Sequence, residues 1–263
     1  MIIDLVKYKR VFTFGCSFTQ YTAPTWADIV FFDMPNAEKL NFGRSGAGNT
    51  LISNRIVQAN SVYKFSETDL VLVMYTSPLR EDRWINGAWH THGNVFNQSY
   101  YDKNFVKNYC DPLGMLIRDL GILEISRGYV ESLPCDSFQM IGADVSVDRS
   151  FAPDESFADN LQKINLLVDS VYAKFPDSRL TTNPVQSFPK LDNDGKSFSS
   201  DGHPNPSEYA DYLRSVGIPI SNEAIEYANA ANQFMQTNKT KDEILLQFPE
   251  MEKHLVKSDK MFL

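Results

Sequence analysis

The residues best suited to chemistry lie at opposite ends of the chain. Near the amino terminus, "VFTFGCSFTQ" runs an apolar stretch into Gly15 and then places Cys16, Ser17 and Thr19 in quick succession. A buried parallel strand that reaches the top of its sheet must turn sharply, and Gly15 is expected to take an unusual backbone angle there. Ser17 would then stand at the carboxyl end of a first strand, where open α/β sheets bind ligands, as a candidate nucleophile. The plain structural alternative is a serine capping a helix. Far downstream, "SDGHPNPSEY" sets Asp201 and His203 one glycine apart, just ahead of a helix. A histidine that takes a proton from a serine needs a carboxylate to fix its tautomer, and Asp201 is the candidate, although Asp-Gly-His also reads as a surface turn.

The elements between these two signals alternate. Residues 9 to 15 read as a strand, "TWADIVFF" from Thr25 to Phe32 as a helix, Lys39 to Asn41 as a short strand, and "NTLISNRIVQANSVY" as a helix. Leu70 to Met74 is a continuous apolar run of the kind buried on both faces of a parallel sheet. A helix over about 112–133, a strand at Phe138 to Ile141, an amphipathic helix in "FADNLQKINLLVDSVYAKF" and a helix from Pro206 follow. This order predicts a doubly wound, three-layer α/β/α domain over 1–217 with a mainly parallel central sheet. Residues 80 to 110 are polar and aromatic with weak periodicity and read as a long insertion or lid. Residues 218–263 read as a helical extension with no strand, packed on the domain or on a partner.

A chain of 263 residues, 43% hydrophobic, buries a sizeable core. Its net charge of −8 argues against a nucleic-acid backbone or an anionic membrane as principal partner. Cys16, Cys110 and Cys135 have neither disulfide-framework nor zinc-ligand spacing. The start "MIIDLVKYKRVF" lacks the apolar core of a signal peptide, so a cytoplasmic location is expected. His90 and His92, two apart in "WHTHGN", lack a third ligand, and no metal or other cofactor is expected. The glycines of "SGAGNT" lack the ending of a phosphate-binding loop, so nucleotide binding is not expected. Trp84, Trp89, Tyr100 and Tyr101 could stack on a sugar ring or simply pack the insertion.

Three blocks recur in order: "FGCSFT", "NFGRSGAGNT" and "DGHPNPSEY". Together they resemble the SGNH hydrolases, the GDSL esterase and lipase superfamily, over about residues 8 to 216. The compact, signal-free layout is similar to SGNH-like proteins of bacteriophages, which would imply a virion-associated setting. The resemblance implies a flavodoxin-like fold, with Ser17 as nucleophile, His203 as general base and Asp201 as its orienting acid. It also implies an oxyanion hole from the backbone N–H groups of Ser17 and Gly46. The family's third block ends its strand with an asparagine that donates to the oxyanion, whereas "VMYTSPLRED" offers Thr76 and Ser77. Ser77 is the expected substitute donor, with Asn49 and Arg80 in reserve, and Asn49, Arg80, Trp84 and Trp89 are the expected substrate contacts. Cys16 stands where the family has aspartate, and Asp-x-His replaces the commoner Asp-x-x-His, with Ser200 at the usual acid position. The implied activity is hydrolysis of a small acyl ester, such as an O-acetyl group on a polysaccharide. Transfer to a sugar hydroxyl and a binding module that keeps the fold without catalysis stay open, as do homo-oligomer or virion contacts through the carboxyl-terminal helices.

Overall fold

The computed structural model describes residues 4–96, 101–142, 164, 166–176, 189–191, 197–200, 203–237 and 241–256. Strands β1 (Arg10–Phe14), β2 (Glu38–Asn41), β3 (Asp69–Tyr75) and β6 (Asp136–Ile141) form one parallel sheet in the order β2-β1-β3-β6. Helices α1 (Trp26–Phe32), α2 (Asn49–Tyr63) and α4 (Pro112–Glu131) connect them. The alternating elements form the doubly wound parallel sheet expected of them, in an order consistent with the flavodoxin-like fold that the family resemblance implied. β1 lies between β2 and β3, so successive connections leave on opposite faces and a crevice opens at the carboxyl ends of β1 and β3.

Burial on both faces explains the apolar runs. Phe12, Phe14, Val71, Val73 and Tyr75 point into a core shared with α2 and α4. Val11, Leu70, Leu72 and Met74 point the other way, against α1, α6 (Pro206–Ser215) and α7 (Asn222–Met235). All seven residues of β3 are buried, so no polar alternation marks it. A helix at 166–172 (α5) adds Val171 and, just beyond it, Phe175 to the first core.

The region 80–110 is more ordered than its weak periodicity implied. It holds an antiparallel hairpin, β4 (Arg80–Ile85) and β5 (Ala88–Asn94), followed by α3 (Lys103–Tyr109). Asn86 and Gly87 turn the hairpin with φ of 52° and 80°, the positive angles of a type I′ turn. One face of the hairpin packs on the loop after β2. The other carries Arg83 over Phe105 of α3 at 4.0 Å. In β5 burial alternates, with Trp89, Thr91 and Gly93 half-buried and Ala88, His90 and His92 exposed, but both faces carry polar or aromatic residues, so the residue types show no clean alternation. A second short hairpin, β7 (Pro189–Leu191) with β8 (Ser197–Ser200), lies in the stretch read as loop.

After Gly217 the chain is helical, through α7, α8 (Lys241–Gln247) and α9 (Glu250–Lys253). Ala224 and Ala228 of α7 share the second core, and Ser221 at its start gives its hydroxyl and its N–H to the Asp33 carboxylate at 2.5 and 2.6 Å. The backbone beyond α9 then bonds the outer edge of β2. Asn41 N–H donates to the His254 carbonyl at 2.8 Å, and Val256 N–H donates to the Asn41 carbonyl at 2.9 Å. This strand-like bridge was absent from the expectation of a purely helical tail. No helix among the described residues is long and apolar enough to cross a membrane.

Candidate functional site

Ser17 follows β1 on a tight turn, closed by Thr19 and Gln20 N–H groups donating to the Cys16 carbonyl at 3.0 and 3.2 Å. It is 5% exposed. Gly15 is not among the glycines with positive φ. Its requirement is space: a Cβ there would stand 2.0 Å from Thr19 Oγ1 and 2.9 Å from the Met74 carbonyl oxygen. Thr19 is the knot of the turn. Its hydroxyl accepts from Trp26 Nε1 at 3.1 Å, and its carbonyl accepts from Thr25 Oγ1 and Asn41 Nδ2 at 3.0 and 2.9 Å. Asn41 therefore couples the serine turn to β2, whose backbone the carboxyl-terminal bridge holds from outside.

The loop after β2 lies alongside. Arg44 N–H donates to the Gly15 carbonyl at 3.0 Å, which brings Gly46 to the same sheet edge as Ser17. Gly46 has φ of +78°. The β4–β5 hairpin is pinned over this loop by Gly93 N–H to the Gly46 carbonyl at 3.1 Å, Thr91 Oγ1 to the Ser45 carbonyl at 3.2 Å, and Arg44 Nη2 to the Trp89 carbonyl at 2.7 Å. Asp82 of β4 accepts the N–H groups of Gly48 and Leu51, both at 2.8 Å, at the start of α2. The helix has no cap from its own Gly48, so the hairpin supplies one. Burial pushes the Asp82 carboxyl up, and the two N–H groups oppose that rise. Arg80 reaches back to the Ala47 carbonyl at 3.1 Å.

At the end of β3, Thr76 is 2% exposed and Ser77 is half-buried. Asn49, the first residue of α2, clamps Thr76. Its Oδ1 accepts the Thr76 N–H at 2.9 Å, and its Nδ2 donates to the Thr76 carbonyl at 3.0 Å and to Asp119 Oδ2 at 2.9 Å. Both amide hydrogens of Asn49 are thus spent on the protein, leaving none for a substrate or an oxyanion. Asp119, fully buried on α4, accepts from Arg118 Nε and Nη2 at 3.0 and 2.9 Å. Arg118 also bonds Glu81 and the Arg80 carbonyl, both at 2.7 Å. Burial raises the Asp119 carboxyl to about 6, against the pull of Arg118 and Asn49.

His203 sits half-buried just ahead of α6, whose start is fixed by a capping box between Asn205 and Glu208. Its ring stacks on Tyr21 with centroids 4.0 Å apart and 8° between planes, and meets the edge of Phe18 at 5.5 Å. Phe18 and Tyr21 belong to the turn that carries Ser17. Asp201 and Tyr100 lie outside the described residues.

The sheet edge thus brings together Ser17, the loop of Gly46, Ser77 and His203. Arg80 and Asn49 stand behind this edge as braces. Trp84 and Trp89 face each other across the hairpin at 5.8 Å, near its tip, with Trp84 43% exposed. They share the hairpin face of Asp82 and Thr91, the face that meets the loop after β2. His90 and His92 lie 6.0 Å apart, and no group of three potential metal ligands occurs among the described residues. Sequence reasoning passed over Phe18, Tyr21, Asp82 and Asp119. Only the two aromatics, one and four residues past the serine, carried a local signal.

Comparison with known proteins adds little. No protein-family model and no curated protein matches this chain. Among solved structures, it is similar to a member of the lipolytic protein G-D-S-L family from Veillonella parvula DSM 2008. That likeness has 15% identity and a TM-score of 0.37, and covers 79% of this chain and 93% of the other.

Proposed function

We propose that this chain is a serine-dependent acyl-ester hydrolase of the SGNH kind. The observation that carries the reading is the packing of His203 onto Phe18 and Tyr21, which brings the imidazole to the turn of Ser17 at the carboxyl edge of the sheet. Ser17 Oγ attacks the ester carbonyl while His203 takes its proton. The carbonyl π pair moves onto oxygen, and the Ser17 and Gly46 N–H groups with the Ser77 hydroxyl stabilise that charge. His203 returns the proton to the departing alcohol. Water, deprotonated by the same histidine, then attacks the acyl-serine, and His203 passes that proton to the departing Ser17 Oγ as the acid is released. Asp201 is assigned to hold the imidazole. A sugar hydroxyl in place of water would make the same machinery a transferase.

The substrate class is a small acyl group on a carbohydrate. Support comes from Trp84 and Trp89, whose rings continue the hairpin face that overhangs the loop of Gly46. The direct test is hydrolysis of p-nitrophenyl acetate by wild type and Ser17→Ala, purified together. Activity that disappears in the variant supports the reading, and equal rates refute it.

One observation favours a second reading, a binding module on the same fold. The end of β3 presents Thr76 and Ser77, and the nearby Asn49 amide is already committed. Loss of one oxyanion donor costs about 10²–10³ in rate. A protein that retains acylated glycans without Ser17-dependent turnover would fit this second reading.

A further inference from the structure

We infer that Tyr21 is a positioning residue that sets the plane of the His203 ring relative to Ser17, an inference that rests on the esterase reading of this site. A histidine side chain has two soft torsions, and a proton shuttle works only when one ring nitrogen faces the nucleophile. Here two aromatic contacts restrict those torsions. Tyr21 lies parallel to the imidazole, with 8° between planes at 4.0 Å, which fixes the plane of the ring. Phe18 meets it nearly edge-on, with 77° between planes at 5.5 Å, which limits sliding along that plane.

Both aromatics come from the segment that holds the nucleophile. Ser17, Phe18 and Tyr21 lie within five residues, and the segment is rigid because Thr19 is bonded to Cys16, Thr25, Trp26 and Asn41. The base is therefore registered against the serine turn itself, although the two residues are separated by most of the chain. Phe18 is anchored in turn on Tyr209 of α6 at 6.2 Å, which ties the helix that follows His203 to the same corner. The parallel stack has a second consequence. When the imidazole takes the serine proton, its positive charge lies over the electron-rich face of the Tyr21 ring.

The test compares Tyr21→Phe, Tyr21→Leu and Tyr21→Ala with wild type by two readouts. Tyr21→Leu keeps most of the bulk without a π face and guards against simple loss of packing. For p-nitrophenyl acetate hydrolysis, Tyr21→Leu and Tyr21→Ala are expected to lower kcat about 10- to 100-fold with KM changed less than about twofold, and Tyr21→Phe to restore kcat. In NMR spectra, the His203 ring protons, assigned by their loss in His203→Ala, are expected upfield under the Tyr21 ring current in wild type and Tyr21→Phe. They should move downfield in the other two. Unmoved His203 resonances, or wild-type kcat in Tyr21→Leu, overturn the inference. An equal loss in Tyr21→Phe and Tyr21→Leu overturns it too, because the hydroxyl would then be the working part. Hydrolysis insensitive to Ser17→Ala refutes the esterase reading instead, and the resonance comparison then decides alone whether Tyr21 holds the ring.

Discussion

Replacing Asn49 with alanine should destabilise the protein far more than a single polar-to-alanine change on a surface. The side chain makes three hydrogen bonds, at 2.9, 3.0 and 2.9 Å, to the Thr76 N–H, the Thr76 carbonyl and Asp119. All three partners are buried, so each backbone bond is worth about 1 kcal/mol and the bond to the carboxylate about 1.5–3 kcal/mol. Their sum is about 4 kcal/mol. For a chain of this size that corresponds to a fall in Tm of about 8–16 °C. Urea unfolding followed by far-UV circular dichroism reads the loss as a lower midpoint with an unchanged slope. A loss below about 1 kcal/mol would refute the reasoning, because the end of β3 would then not depend on the Asn49 clamp.

Three further outcomes are expected. The Asp119 carboxyl titrates at about 6 in the folded protein, above its ordinary 3.8, because burial disfavours its charge. The folded state binds that proton more tightly, so the contribution to stability is present below about pH 4 and is lost as pH rises through about 6. Relative to Asp119→Asn, wild type should lose roughly 2–3 kcal/mol between pH 4 and pH 7 in urea unfolding, and parallel pH profiles would contradict this. Gly15→Ala forces a Cβ into Thr19 Oγ1 and the Met74 carbonyl. It should cost about 3 kcal/mol by thermal unfolding and abolish Ser17-dependent hydrolysis, whereas a fully active, stable variant would show that the turn can relax. Trp84→Ala should raise KM for acylated oligosaccharides about five- to tenfold in steady-state assays and leave p-nitrophenyl acetate unaffected, and an equal effect on both substrates would argue against a sugar platform.

The sheet was legible because its strands are buried on both faces. β3 announces itself as an unbroken apolar run, and the alternation of strands and helices fixes a parallel, doubly wound order. The β4–β5 hairpin was not legible from periodicity, because its half-buried face and its exposed face both carry polar and aromatic residues, although Asn86-Gly87 carried the turn signal. As candidates, Ser17 and His203 could be named from residue type and Gly46 from the family resemblance. Their supports could not. Asp82 caps α2 from 34 residues away, and Asp119 reaches Asn49 across 70, pairings that local patterns do not encode. The steric demand on Gly15 was hidden for a related reason: the close approach of Thr19 and of the Met74 carbonyl of β3, which asks for a glycine there, comes from tertiary packing.

The central claim is that Ser17 is a nucleophile activated by His203, and covalent labelling tests it most directly. Wild type, Ser17→Ala and His203→Ala would be incubated with a fluorophosphonate and analysed by intact mass and peptide mapping. The account predicts one adduct on Ser17 in wild type, none in Ser17→Ala and strongly slowed labelling in His203→Ala. An unlabelled wild type, or labelling that proceeds equally without His203, would contradict it.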